Sequence, residues 1–216
     1  MSPARSEGWI AELRRFTRGA EPAQRCEMCS APIGAEHRHL MQLSERRLLC
    51  CCQVCAVLFG NGSNDAENNY RLVPTRSQQL TDADFALTDA QWDALQIPID
   101  IAFFFNSTAR ARVVALYPGP AGTTESSLDL SAWEELQAES PLLATLAPDV
   151  EALLINRAHG AREYYRVPID QCYALTGIIR THWHGLTGGT EAWAAIHRFF
   201  VGLQANAAAP ERSFHA

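Results

Sequence analysis

A chain of 216 residues, 47% hydrophobic and 19% charged, has the size and composition of one globular domain or two small ones. Its net charge of -6 provides no general basic surface for gripping a phosphate backbone, so nucleic acid is not the expected partner. All 18 basic residues are arginine, which excludes a lysine Schiff base and a P-loop lysine.

The chain opens with charges spaced through Met1–Arg15, where a signal peptide would have its apolar core. No run approaches the roughly 20 apolar residues of a spanning helix, so no membrane span and a cytoplasmic location are expected. Trp9, Ile10, Leu13 and Phe16 recur at helical spacing and predict a short amphipathic helix. A cysteine-rich module follows from about Arg25 to Phe59, and the polar, glycine-containing stretch from Gly60 to Asn69 marks a division after it. Tyr70 to Pro74 reads as a short strand. Thr88-Asp-Ala-Gln91 is a capping box for a helix carrying Trp92 and Leu95. Ile99–Phe105 and Arg112–Tyr117 form an expected hairpin, closed by the turn-rich loop Pro118–Gly122. Ser131-Ala-Trp-Glu134 is a second capping box, for a helix that Pro141 ends, and Val150–Arg157 with Glu163–Pro168 suggests a hairpin around His159-Gly160. Two helices close the chain, one from near Asp170 to Trp183 and one after Gly189 carrying Trp193, Ile196, Phe200 and Leu203.

This order predicts an α+β fold: an N-terminal helix and four-cysteine module over residues 1–60, an antiparallel sheet packed with helices over 70–206, and a frayed tail over 207–216.

Six of the seven cysteines fall between Cys26 and Cys55. In a reducing compartment such crowding points to metal or redox chemistry rather than disulfides. Cys26-Glu-Met-Cys29 and Cys52-Gln-Val-Cys55 each let one tight turn present two sulfurs to one ion, and together they complete a tetrahedral four-sulfur shell. His39–Leu43 and Arg47–Cys50 around Ser44-Glu-Arg46 suggest a hairpin between the pairs, and Ala56–Phe59 the start of a helix. That is the order of a treble-clef zinc finger, with a zinc ribbon as the alternative. A closed zinc site is the favoured reading and iron at the same cysteines, for electron transfer or redox sensing, the alternative. Cys50 and Cys51 are surplus to one tetrahedral ion: one is expected to point into the core and the other to be tolerated at the strand end, with an alternate ligand or a redox thiol as the further readings. His37 and His39 share a strand face within reach of a metal, but the four cysteines already suffice.

Elsewhere, His182 and His184 lie near a helix C-terminus, where dipole interactions explain them without catalysis, and Cys172 sits among apolar helix neighbours. No nucleophile–base pair can be argued from spacing, so no catalytic residue is assigned. A nucleic-acid-binding regulator would rest on Arg38, Arg46 and Arg47 alone.

Cys26 to Cys29, Glu36-His-Arg-His-Leu40, Leu48 to Phe59, Tyr117 to Gly122 with Glu125-Ser126, Pro148 to Leu153, and Val167 to Asp170 running to Gly185–Gly189 together resemble an uncharacterised actinobacterial-type family encoded beside high-affinity uptake [NiFe] hydrogenases. The resemblance implies a zinc-binding accessory or subunit protein whose partners are hydrogenase subunits. Its ligands would be Cys26, Cys29, Cys52 and Cys55, with Cys50 as a close companion.

Overall fold

The computed structural model describes residues 24–60, 69–97, 99–126, 130–185 and 187–207. The helix expected at Trp9–Arg18, most of the Gly60–Asn69 stretch and the tail after Ala207 lie outside them. The fold is α+β, with two antiparallel sheets and helices.

The smaller sheet has the order β2-β1-β3, from β1 (Arg38–Gln42), β2 (Arg47–Cys51) and β3 (Tyr70–Leu72), with α1 (Gln53–Gly60) following β2. Arg46 makes the reversal between β1 and β2 at φ 52°. Tyr70–Leu72 is a strand as its composition suggested, but it pairs with β1 and so belongs to the cysteine-rich sheet rather than the downstream one.

The larger sheet runs β4-β9-β8-β5-β6-β7, from β4 (Gln78–Gln79), β5 (Ile101–Ser107), β6 (Arg112–Gly119), β7 (Gly122–Glu125), β8 (Glu151–Asn156) and β9 (Glu163–Pro168). Its central strands are buried on both faces, which is why they read as continuous apolar runs rather than as alternation. Register keeps the two faces distinct. Phe103, Leu116, Leu154 and Tyr165 line one face, under α4 (Ile169–His182) and α5 (Gly189–Ala207), which contribute Cys172, Leu175, Ile196 and Phe200. Phe104, Ala115, Leu153 and Tyr164 line the other, under α2 (Asp89–Ala94), α3 (Leu130–Glu139) and the 3₁₀ turn Pro141–Thr145. There Trp133 stacks on Phe104 with ring centroids 5.0 Å apart.

Thr88 caps α2 with the reciprocal bonds of a capping box. The helix assigned to a second box begins at Leu130, so Ser131 lies inside it rather than at its N-cap. Pro118–Gly122 is not a terminating loop: β6 continues through Gly119 and reverses into β7. Pro118 is tolerated because β6 pairs with β5 only as far as Leu116; beyond it the only strand partner among the described residues is the edge strand β7. The edge strands β4 and β7 are short and polar and carry no apolar signal to find them by.

The smaller sheet docks on the α4 side of the larger one through Met41, in the same core as Phe105 and Ile169, with Leu43 and Leu48 beside it. Polar ties fix this docking. Asp149, 7% exposed and at φ 65°, accepts from the Thr108 backbone N–H (2.9 Å), the Thr108 hydroxyl (2.6 Å) and Arg71 Nη1 of β3 (3.1 Å). Arg71 also donates to the Pro148 carbonyl at 3.0 Å. Next to this hub, Glu151 is buried against Arg166, whose Nε donates to it at 2.9 Å, and accepts the Ala147 N–H at 2.8 Å.

Candidate metal centre

Two backbone turns bring the four paired cysteines together. In the first, the Ser30 N–H donates to the Cys26 carbonyl and the Cys26 N–H to the Ala31 carbonyl, both at 2.8 Å. Ser30 adopts φ 62°, the left-handed position that glycine most often fills, and the reversal turns the sulfurs of Cys26 and Cys29 to one side. In the second, Cys52 immediately precedes α1 and its Sγ accepts the Cys55 N–H at 3.4 Å, so the first turn of the helix presents both sulfurs.

The ligand atoms of Cys26, Cys29, Cys52 and Cys55 all lie within 4.8 Å of one another, and Cys29 Sγ is 3.7 Å from Cys52 Sγ. Sulfurs placed about 2.3 Å from a tetrahedral ion are separated by about 3.8 Å. The spacing therefore fits a metal ion held by four thiolates. Cys26 and Cys55 are buried, at 1% and 4% exposure, on a small core of Leu40, Leu49, Cys51 and Ala56, while Cys29 stands at the surface.

The two buried thiols of the cluster are shifted in opposite directions. Burial acts to raise the Cys26 thiol, but N–H groups of Cys52, Cys29 and Met28 outweigh it and bring the thiol down to about 6. Burial and then the neighbouring sulfurs of Cys29, Cys52 and Cys26 push Cys55 strongly upward. Ionising Cys55 beside these sulfurs adds like charge at close range, which a positive ion would offset.

Glu27, which sequence reasoning passed over, ties the first turn to the hairpin. Its carboxylate accepts the Cys50 N–H at 2.7 Å and pairs with Arg47, while its own N–H donates to the Cys50 carbonyl at 2.9 Å. Burial raises the Glu27 carboxyl, but the Cys50 N–H and Arg47 outweigh it and leave it below its ordinary value.

Cys50 and Cys51 are neighbours on β2, so their side chains face opposite ways. Cys51 is fully buried against the four-cysteine cluster, and burial followed by the charge of Cys26 pushes it up to about 11. Cys50 lies directly opposite His39 of β1, and burial, then Glu27, raises its thiol. All seven cysteines are free thiols, so Cys50 and Cys51 form no disulfide. His37, His39 and Cys50 make a second group whose ligand atoms lie within 4.8 Å of one another.

The other singled-out residues stand apart from both groups. His182 Nδ1 is 3.2 Å from Glu191 in a partly exposed pair spanning α4 and α5, and the His184 N–H donates to the Gly188 carbonyl in the turn between them. Cys172 is completely buried, and burial pushes its thiol well above the ordinary value. Of the three arginines of the basic patch, Arg47 pairs with Glu27 and Arg46 lies 5.9 Å above the Phe105 ring. Among the described residues no helix is long and apolar enough to cross a membrane.

The model of a family of unknown function, DUF5947, matches residues 25–207, and the chain belongs to that family. No curated protein and no solved structure matches the chain.

Proposed function

We propose that this chain is a zinc-binding accessory protein that acts through protein–protein contacts, and that its partners are subunits of an uptake [NiFe] hydrogenase in the cytoplasm. The observation that carries the binding role is α1 itself. Cys52 just before it and Cys55 in its first turn are two of the four candidate ligands, and its outward side exposes Val54, Val57 and Leu58 by 66, 49 and 69%. A short helix anchored by metal and apolar on its outer side suits a partner surface better than solvent.

The sequence turn, hairpin, helix with a ligand pair on each turn is that of a treble-clef finger, and four thiolates leave a bound zinc ion no open position for chemistry. Zinc is favoured over iron because rubredoxin-type iron knuckles carry Gly or Pro beside the cysteines, and Cys52-Gln-Val-Cys55 has neither. The hydrogenase partner is supported by the motif resemblance alone. Elemental analysis of the purified protein, expected colourless, together with a pull-down from native cells tests both parts. A red or brown protein containing iron would overturn the zinc reading, and hydrogenase assembly and activity unchanged by loss of the gene would overturn the accessory role.

A further inference from the structure

The group formed by His37, His39 and Cys50 goes unused in the reading above. His39 and Cys50 are directly paired across β1 and β2, so their side chains emerge on one face of the small sheet. That face is the one carrying Met41 onto the α4 side of the larger sheet, opposite the face that Leu40, Leu49 and Cys51 turn to the four-cysteine core. His37 adds its ring from just before β1, with its centroid 4.8 Å from that of His39.

The outer nitrogens of both rings are already oriented. His37 Nδ1 is 2.9 Å from the Gly34 carbonyl, and His39 Nδ1 is 2.9 Å from Asp170 Oδ2 on the first turn of α4. With each Nδ1–H donated in this way, each Nε2 keeps its lone pair and is the atom the ring offers inward. A carbonyl or carboxylate behind each imidazole is the support that metal-bound histidines use to fix tautomer and ring orientation. His37 Nε2 is buried and has no hydrogen-bond partner among the described residues, although an orphaned buried ring nitrogen is costly. A metal ion would satisfy it.

From these observations we propose a second metal site, formed by His37 Nε2, His39 Nε2 and Cys50 Sγ, that takes a divalent ion of the zinc class and leaves one coordination position open. Two imidazoles and one thiolate select ions of intermediate softness over magnesium or calcium. Three protein ligands, unlike the closed four-thiolate set, leave room for water or for a donor atom of a bound molecule. One ring nitrogen of each histidine and Cys50 Sγ lie within 4.8 Å of one another, and side-chain rotations bring the ligand atoms to the roughly 3.3–3.7 Å separations that a zinc ion requires. The site sits at the junction of the two sheets, because Asp170 belongs to the larger unit and the three ligands to the smaller.

The test is a titration of the full-length, reduced, metal-free chain with Co²⁺, followed by Zn²⁺ displacement and elemental analysis. Two equivalents are expected, one with the intense charge-transfer absorption of four thiolates and one with the weaker absorption of a single thiolate and two imidazoles. His37→Ala and Cys50→Ser should each lose the second equivalent and retain the first. Asp170→Asn leaves every ligand in place and should weaken the second equivalent about 10–100-fold, which keeps the proposal testable if a ligand variant fails to fold. A wild-type chain that takes up only the four-thiolate equivalent overturns the proposal, as does a second equivalent unaffected by all three substitutions. A chain lacking the four-thiolate spectrum but still binding one ion dependent on His37 would refute the four-cysteine reading alone.

Discussion

Asp149 offers the sharpest test of the buried polar hub beside the junction of the two sheets. Replacing it with alanine removes three hydrogen bonds from a carboxylate with an 8% exposed side chain, leaving the Thr108 N–H and hydroxyl and the Arg71 guanidinium without it. Arg71 is 29% exposed and water recovers part of its loss, so the summed penalty is about 3–4 kcal/mol rather than the full cost of a buried broken pair. Alanine must also adopt φ near 65°, adding about 1 kcal/mol. The D149A variant should therefore lose about 4–5 kcal/mol, Asp149→Gly about 1 kcal/mol less, and Asp149→Asn, which tolerates the left-handed backbone and retains an acceptor, only about 1–2 kcal/mol. Urea unfolding of the metal-loaded protein, followed by tryptophan fluorescence and extrapolated linearly, measures the series. D149A within about 1 kcal/mol of wild type, or indistinguishable from D149N, would refute the assignment of Asp149 as a buried polar hub.

Three further outcomes follow from the same structure. Chelation, or Cys26→Ser, should remove hydrogen-exchange protection from β1, β2 and α1 while the central strands β5 and β8 of the larger sheet keep theirs, because those strands are buried in cores on both faces; simultaneous loss in both sheets would contradict this. Gly188→Ala places a Cβ 2.9 Å from the Trp183 ring at φ 86° and should cost about 2 kcal/mol or more, whereas Gly185→Ala at φ 66° meets nothing within 4 Å and should cost about 1 kcal/mol; equal thermal shifts for the two would exclude the ring contact. The Asp89 carboxyl is held below its ordinary value by hydrogen bonds from Arg162 and Arg157, so its contribution is fully present above about pH 4 and fades as the pH falls through the lowered folded value. The stability difference between wild type and Asp89→Asn should thus be larger at pH 7 than at pH 2, and a pH-independent difference in urea midpoints would disprove it.

The four-thiolate site was legible because its chemistry is local: two residues between cysteines fix a turn, and a turn fixes two sulfurs whatever surrounds it. Hairpins and helices with strong apolar patterns were legible for a similar reason, as at Thr88, whose capping box lies within one turn of chain. The polar edge strands β4 and β7 were not, since their pairing comes from a neighbour and leaves no periodicity of its own. Glu27, Asp149 and Asp170 were passed over for the same cause. Each is an ordinary acidic residue in one dimension, and its role depends on partners 20, 78 and 131 positions away.

Cys50 and Cys51 draw the line most clearly. The sequence leads one to expect one thiol in the core and the other at the strand end, and only the register of β1 against β2 assigns Cys51 to the sulfur core and Cys50 to the two histidines. Composition and spacing settled that this chain carries an α+β fold and a four-cysteine cluster, because helix and strand periods and a two-residue turn are short-range properties. Which face of the small sheet meets the larger one, and hence that His39 meets Asp170, was decided by long-range packing: burying Met41, Leu43 and Leu48 against the α4 side fixes a register that no local pattern encodes.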